Sequence, residues 1–141
     1  GKDLDEAERM IRLAAGDNPD EAAYLDSLGW VLYKQGRLEE ARKWLLRATA
    51  VEDGQDAVIY DHLGDAQWRL GQHEEAARSW RRSLELYEQK VRAGELNVED
   101  RPAARTRLKL AAVENGRPPD VAAIPPATQA ATQSAPHDRQ N

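Results

Sequence analysis

At 141 residues, with 20 Lys plus Arg against 25 Asp plus Glu, the chain has room for one domain and a net charge of −5. That balance disfavours general nucleic-acid binding, because phosphates attract basic surfaces. It has no Cys, which excludes disulfides and thiolate metal sites, and no apolar run approaches the roughly 18 residues of a membrane-spanning helix.

Gly1-Lys2 carries no signal peptide and precedes what reads as the middle of a repeat. The expectation is a fragment whose natural amino terminus, with any targeting signal, lies elsewhere. Asp3 is placed to cap a helix with Glu6 reaching back to it, and Leu4, Ala7, Ile11 and Ala14 then follow at helical spacing on one face. Asn18 as a cap and Pro19 at the first helical position predict a helix from about Pro19 to Gln35. It buries Leu25, Leu28 and Leu32, leaves Gly29 at a close approach, and ends in a left-handed turn at Gly36. A helix over Leu38 to Ala50 repeats the pattern with Leu38, Ala41, Leu45 and Ala48.

Asp53, Gly54 and Asp56 make a turn, after which a helix over Ala57 to Leu70 carries the stripe Tyr60, Leu63, Gly64 and Gln67. Gly71 is the hinge to a longer helix that starts near Gln72 and runs through Ala76, Trp80, Leu84, Tyr87 and Val91 to Gly94. The last helix, Asp100 to Glu114, has Pro102 in its first turn, a buried stripe of Ala104, Leu108 and Ala111, and Asn115-Gly116 as its stop. Arg101, Arg105, Arg107 and Lys109 are expected on its outer face, as suits a polar cap at the end of a stack. From Arg117 the composition turns to Pro, Ala, Thr, Gln and Ser. Such a stretch buries too little apolar surface to offset chain entropy, which predicts disorder over 117–141.

Two of these helix pairs are copies. Leu28-Gly29 recurs as Leu63-Gly64, Gly36 as Gly71 and Glu39-Glu40-Ala41 as Glu74-Glu75-Ala76, each a step of 35 residues. A helix-turn-helix repeating at this period is a solenoid, in which each unit buries its apolar face against its neighbours.

The pattern Leu25, Leu28-Gly29, Leu32, Gly36, Ala41, Leu45, Ala48, repeated as Tyr60, Leu63-Gly64, Gly71, Ala76, Trp80, Ser83, resembles the tetratricopeptide repeat. The likeness covers residues 4 to about 92. It departs at Gln67 and Ser83, where that family prefers an aromatic and Ala, and in the 35-residue step. It implies an all-α, antiparallel helix-turn-helix solenoid of about two and a half repeats with a C-terminal capping helix. The expected domain is 1–116, made of a half repeat at 3–17, repeats at 19–52 and 55–93 and a capping helix at 100–115. Pentatricopeptide RNA readers also step by 35, but they are generally basic, and no recurring selector pair is present here. The strings YLDSLGWVLYKQG and DHLGDAQWRLGQHEEAARSW are further similar to the terminal repeats of large bacterial envelope proteins of this class, including lipoproteins. That likeness implies a bacterial source and an envelope or periplasmic address; composition encodes neither, and a cytoplasmic one stays open.

Members of the resembled family bind partner peptides on the concave face of their first helices. Counted at 100 degrees per residue from Leu25 and from Tyr60, the side opposite the core holds Asp26, Ser27, Trp30 and Lys34, then Asp61, His62, Asp65 and Arg69, with Tyr33 and Trp68 on the shoulder. Three Asp around an indole suit a protein segment carrying Arg or Lys and an apolar anchor. They do not suit the carboxylate clamp that some family members build from Lys, Arg and Asn. Solvated helix charges and a packed Trp30 are the plainer alternative. His62, Asp65 and Ser27 share a face, yet there is no phosphate loop, nucleophile elbow or paired-His helix, so neither catalysis, a metal nor a cofactor is expected. A second binding mode would use Arg78, Arg81, Arg82, Arg105 and Arg107 on the last two helices toward RNA or acidic lipid. Leu4 and Ile11, without a preceding helix to cover them, are an expected dimerisation face.

Overall fold

Helix stops set the architecture. Gly36 and Gly71 stand at φ +78° and +80°, where a side chain is disfavoured. After each, the next amide bonds back into the last turn: Arg37 N to Leu32 O at 3.0 Å and Gln72 N to Gln67 O at 2.9 Å. Gly94 and Gly116 close their helices the same way. The computed structural model describes residues 2–97 and 101–126, and the helices among them are α1 (Lys2–Ala14), α2 (Ala22–Lys34), α3 (Leu38–Ala50), α4 (Ala57–Arg69), α5 (His73–Arg92) and α6 (Arg101–Glu114), with a 3-10 turn at Ala15–Asp17. No strand occurs among these residues. Each helix packs on the next, and α2 also touches α4 across the concave side. This is the all-α helix-turn-helix stack that the sequence implies.

The two helix pairs cross at their glycines. A methyl on Gly29 would lie 2.6 Å from Leu45 Cγ, and one on Gly64 would lie 2.5 Å from Trp80 Cδ1. The core between them gathers Leu28, Leu32, Tyr33, Ala41, Leu45, Leu63 and Ala66, with a smaller cluster of Ala22, Leu25, Ala48 and Ile59 beside it. Ile59 takes the deep position expected of Tyr60, which is half-buried with its hydroxyl near Gln55. The two departures from the repeat pattern are both satisfied polar groups. Ser79 Oγ donates to buried Gln67 Oε1 at 2.6 Å, and Ser83 Oγ donates to Ala57 O at 2.6 Å. Buried polar atoms without such partners would be costly.

Several expectations need correction. Asn18 is not a cap: α2 begins at Ala22, and its first amide donates instead to Asp53 Oδ1 at 3.3 Å, from the loop before α4. Asp3 lies inside the first turn of α1. Ile11 packs inward on the core, and the exposed large apolar residues of α1 are Met10 and Leu13. The face of α6 is also different. Ala104, Leu108 and Ala111 are exposed, while Ala103, Thr106 and Lys109 are buried. Lys109 therefore points into the protein, and the physical reason is two carboxylates waiting there. Finally, residues 117–126 are not disordered: they follow α6 with a tight turn at 119–121 and lie on the concave side at Ala122; the remainder of the predicted disordered tail, 127–141, lies outside the described residues.

Candidate functional site

The concave face is built from α2, α4, α6 and the segment after α6. On α2 and α4, residues 36 apart in the chain meet side by side. His62 Nδ1 and Asp26 Oδ1 share a hydrogen bond of 2.8 Å. The His62 ring stacks on Trp30 with centroids 3.8 Å apart, and Trp30 stacks on Tyr33 at 4.7 Å. Cations flank this column: Lys34 Nζ is 5.0 Å from the Trp30 centroid and the Arg69 guanidinium 5.6 Å from that of Tyr33. Such contacts stiffen both rings and long side chains.

Beneath the column lies an ionic knot. Asp61 and Asp65 are one turn apart on α4, and Lys109 Nζ reaches both, at 2.6 Å and 2.7 Å. Thr106 Oγ1 donates to Asp61 at 2.7 Å, and Trp80 Nε1 donates to Asp65 Oδ1 at 3.2 Å. Asp65 is 2% exposed. Burial raises its carboxyl pKa above the ordinary value, against the pull of the Lys109 charge, with Asp61 adding to the rise. The Tyr33 hydroxyl is raised too, chiefly by burial, while Arg69 opposes and the two carboxylates reinforce.

The chain's own residues 120–124 lie along this surface, and the contacts go to their backbone. Ala122 O accepts from Tyr33 Oη at 2.5 Å and from Arg69 Nη2 at 2.7 Å, and Ala123 O accepts from Lys34 Nζ at 2.9 Å. Ala122 N donates to Asp65 Oδ2 at 3.1 Å. Arg69 Nε also bonds Tyr33 Oη at 2.6 Å, so the phenol and guanidinium act as one unit. The Ala122 and Ile124 side chains rest on the main core cluster. Between this segment, α4 and α6 remains a cavity of about 640 Å³, lined among others by Trp30, Val58, Asp61, His62 and Arg105.

Of the residues read from sequence, Asp26, Trp30, Tyr33, Lys34, Asp61, His62, Asp65 and Arg69 thus converge on the concave side. Trp68 does not: it turns toward α5, stacked on His73 at 3.8 Å and 6.0 Å from Trp80. Ser27 is exposed, outside these contacts. Sequence reasoning missed Thr106, Lys109 and the segment 120–124. One signal for Lys109 was available, since Asp61 has no cation one turn away on its own helix. For the segment it was the pair Val121 and Ile124 set between Pro118-Pro119 and Pro125-Pro126. Among the arginines of the second binding mode, Arg78 pairs with Glu74 at 3.8 Å, Arg82 with Glu85 at 3.2 Å and Gln55 at 3.0 Å, and Arg107 lies 5.5 Å from the Tyr87 ring.

Residues 2–57 match one family model and residues 58–82 a second, and both are described as tetratricopeptide repeat. This chain is a tetratricopeptide repeat protein. A TPR repeat-containing protein of Pseudomonas aeruginosa is 40% identical to it over 60 residues, 43% of this chain. The matched stretch spans 10% of that relative's length. Tetratricopeptide repeats generally mediate protein–protein interaction and are generally non-catalytic. No helix among the described residues is long and apolar enough to cross a membrane, and no group of three or more His, Asp or Glu side chains among them is arranged to hold a metal ion.

Proposed function

We propose that the concave face of α2 and α4 binds an extended segment of a protein partner, with no chemistry of its own. The observation behind this reading is the backbone capture of Ala122 and Ala123 by Tyr33, Lys34, Arg69 and Asp65. A phenol and guanidinium on one carbonyl, a carboxylate on the amide of that same residue and an ammonium on the next carbonyl recognise main chain rather than side-chain polar groups. The basic anchor expected of the partner has less to bind than the sequence implied. Lys109 already occupies Asp61 and Asp65, and His62 holds Asp26. Charge therefore supports a role inside the site, where Asp61 and Asp65 fix α6 and Asp65 presents one oxygen to the bound amide. The local pairing of Arg78, Arg82 and Arg107 gives the anionic-surface reading no comparable support.

The test is selection of a displayed random-peptide library on the full-length chain, with its own tail weakened by Ile124→Asp. Selected peptides should lose binding when Lys34→Glu and Arg69→Glu are introduced together, and keep it with Arg81→Glu and Arg82→Glu on α5. Retention with the first pair and loss with the second would move the site to the basic side.

A further inference from the structure

The segment found in the groove carries information about what the groove accepts. Residues 117–126 read Arg-Pro-Pro-Asp-Val-Ala-Ala-Ile-Pro-Pro. Proline fixes its own φ and pushes the preceding residue toward extended backbone, so Ile124, before Pro125, is preset for this path. A strand preset in its bound shape loses little entropy on docking. Its four polar contacts all go to the backbone of two residues, Ala122 and Ala123. Ala122 is half-buried against the core cluster, where a small apolar side chain fits. Ile124 covers apolar surface two residues on, its Cγ2 facing the turn at Gly36. The pattern is therefore small, small, aliphatic, bounded by proline. The connection from the end of α6 is only a few residues long, so the segment cannot diffuse far from the site.

Resting on the reading of the concave face as a peptide groove, we propose that residues 119–124 are an internal ligand that closes it, and that the partner supplies an extended segment of the same small-small-aliphatic pattern which competes with them. The groove is then occupied at rest, and a partner binds by displacing the chain's own tail. The selectivity lies in shape: a free amide at the first small position, no bulk there, and an aliphatic side chain two residues later.

Fluorescence anisotropy with a labelled peptide of residues 117–126 tests this on two full-length chains, the parent and one carrying Ala122→Pro with Ile124→Asp. The first change removes the amide that Asp65 accepts and the second sets a carboxylate against the core cluster, while every groove side chain is retained. A short tether holds the tail at about millimolar effective concentration, so the free peptide should bind the double variant at least about ten-fold more tightly than the parent. The same peptide with Ala122→Glu should bind at least about ten-fold more weakly, because a carboxylate there would be withdrawn from solvent against the apolar cluster on which Ala122 rests. Equal affinity of the two chains, or no binding to the double variant, overturns the internal-ligand proposal, and equal binding of the two peptides overturns the pattern. Library-selected peptides that still depend on Lys34 and Arg69 in the double variant would show the groove reading surviving that loss. If circular dichroism shows the double variant unfolded, the parent chain carries the test. Hydrogen exchange at the Ala122 amide must quicken as unlabelled peptide is added, and unchanged protection overturns the proposal.

Discussion

Replacing Lys109 by Met keeps a stem of similar length and removes the ammonium that sits 2.6 Å from Asp61 and 2.7 Å from Asp65. Lys109 is 5% exposed, so the pair is largely withdrawn from bulk solvent. Asp61 would keep Thr106 and some solvent, and Asp65 would keep Trp80 Nε1 and the Ala122 amide. Breaking a buried pair by deleting one partner costs about 3 to 5 kcal/mol. Here the lower end applies, because Asp65 already has a raised pKa and can take up a proton instead of staying charged. The expected loss is about 3 kcal/mol, a large share of the roughly 5 to 15 kcal/mol that holds a domain together. Urea unfolding followed by the fluorescence of the four tryptophans measures it, as a midpoint lower by about 1 M or more. A cycle with Asp65→Asn sharpens the test. The double replacement should cost less than the sum of the singles by more than about 1 kcal/mol, since each single change strands the other group. A loss for Lys109→Met below about 0.5 kcal/mol, the size of an exposed bridge, or strict additivity with Asp65→Asn, would refute the picture of a buried ionic knot.

Gly64→Leu should destabilise by about 1 to 3 kcal/mol or more, because its Cβ alone would meet the buried Trp80 ring and overpacking has no room to relax; an unmoved melting temperature would show that α4 and α5 do not cross there. Asp65 binds its proton more tightly folded than unfolded, so the parent should gain stability relative to Asp65→Asn as pH falls through the raised value, levelling off below the ordinary aspartate range. Paired urea midpoints from neutral pH down to about pH 4 measure this, and a parent that loses ground to Asp65→Asn over that interval would contradict it.

The repeat was legible because its signals are local. Gly36 and Gly71 fix where helices stop by their own backbone angles, and Leu28-Gly29 and Leu63-Gly64 mark where each helix crosses its partner in the same repeat, against Leu45 and Trp80. Helical periodicity likewise brought Asp26, Trp30 and Lys34 of α2 to the same side as Asp61, His62, Asp65 and Arg69 of α4, since each set needs only its own helix to be aligned. The rotation of α6 was not legible. A count of apolar residues favours Ala104, Leu108 and Ala111, and it was overruled by Lys109, whose carboxylate partner Asp65 is 44 residues away. Nor was the tail: Pro and Ala lack the apolar surface to fold by themselves, and they become ordered only on a surface made by α2 and α4, with Ala122 bonded to a residue 57 positions earlier. Sequence alone determined the solenoid and most of the α2 and α4 residues that face its hollow. Tertiary structure decided that the hollow is filled, because pairing a buried charge and satisfying a stray backbone amide are long-range matters that no local pattern records.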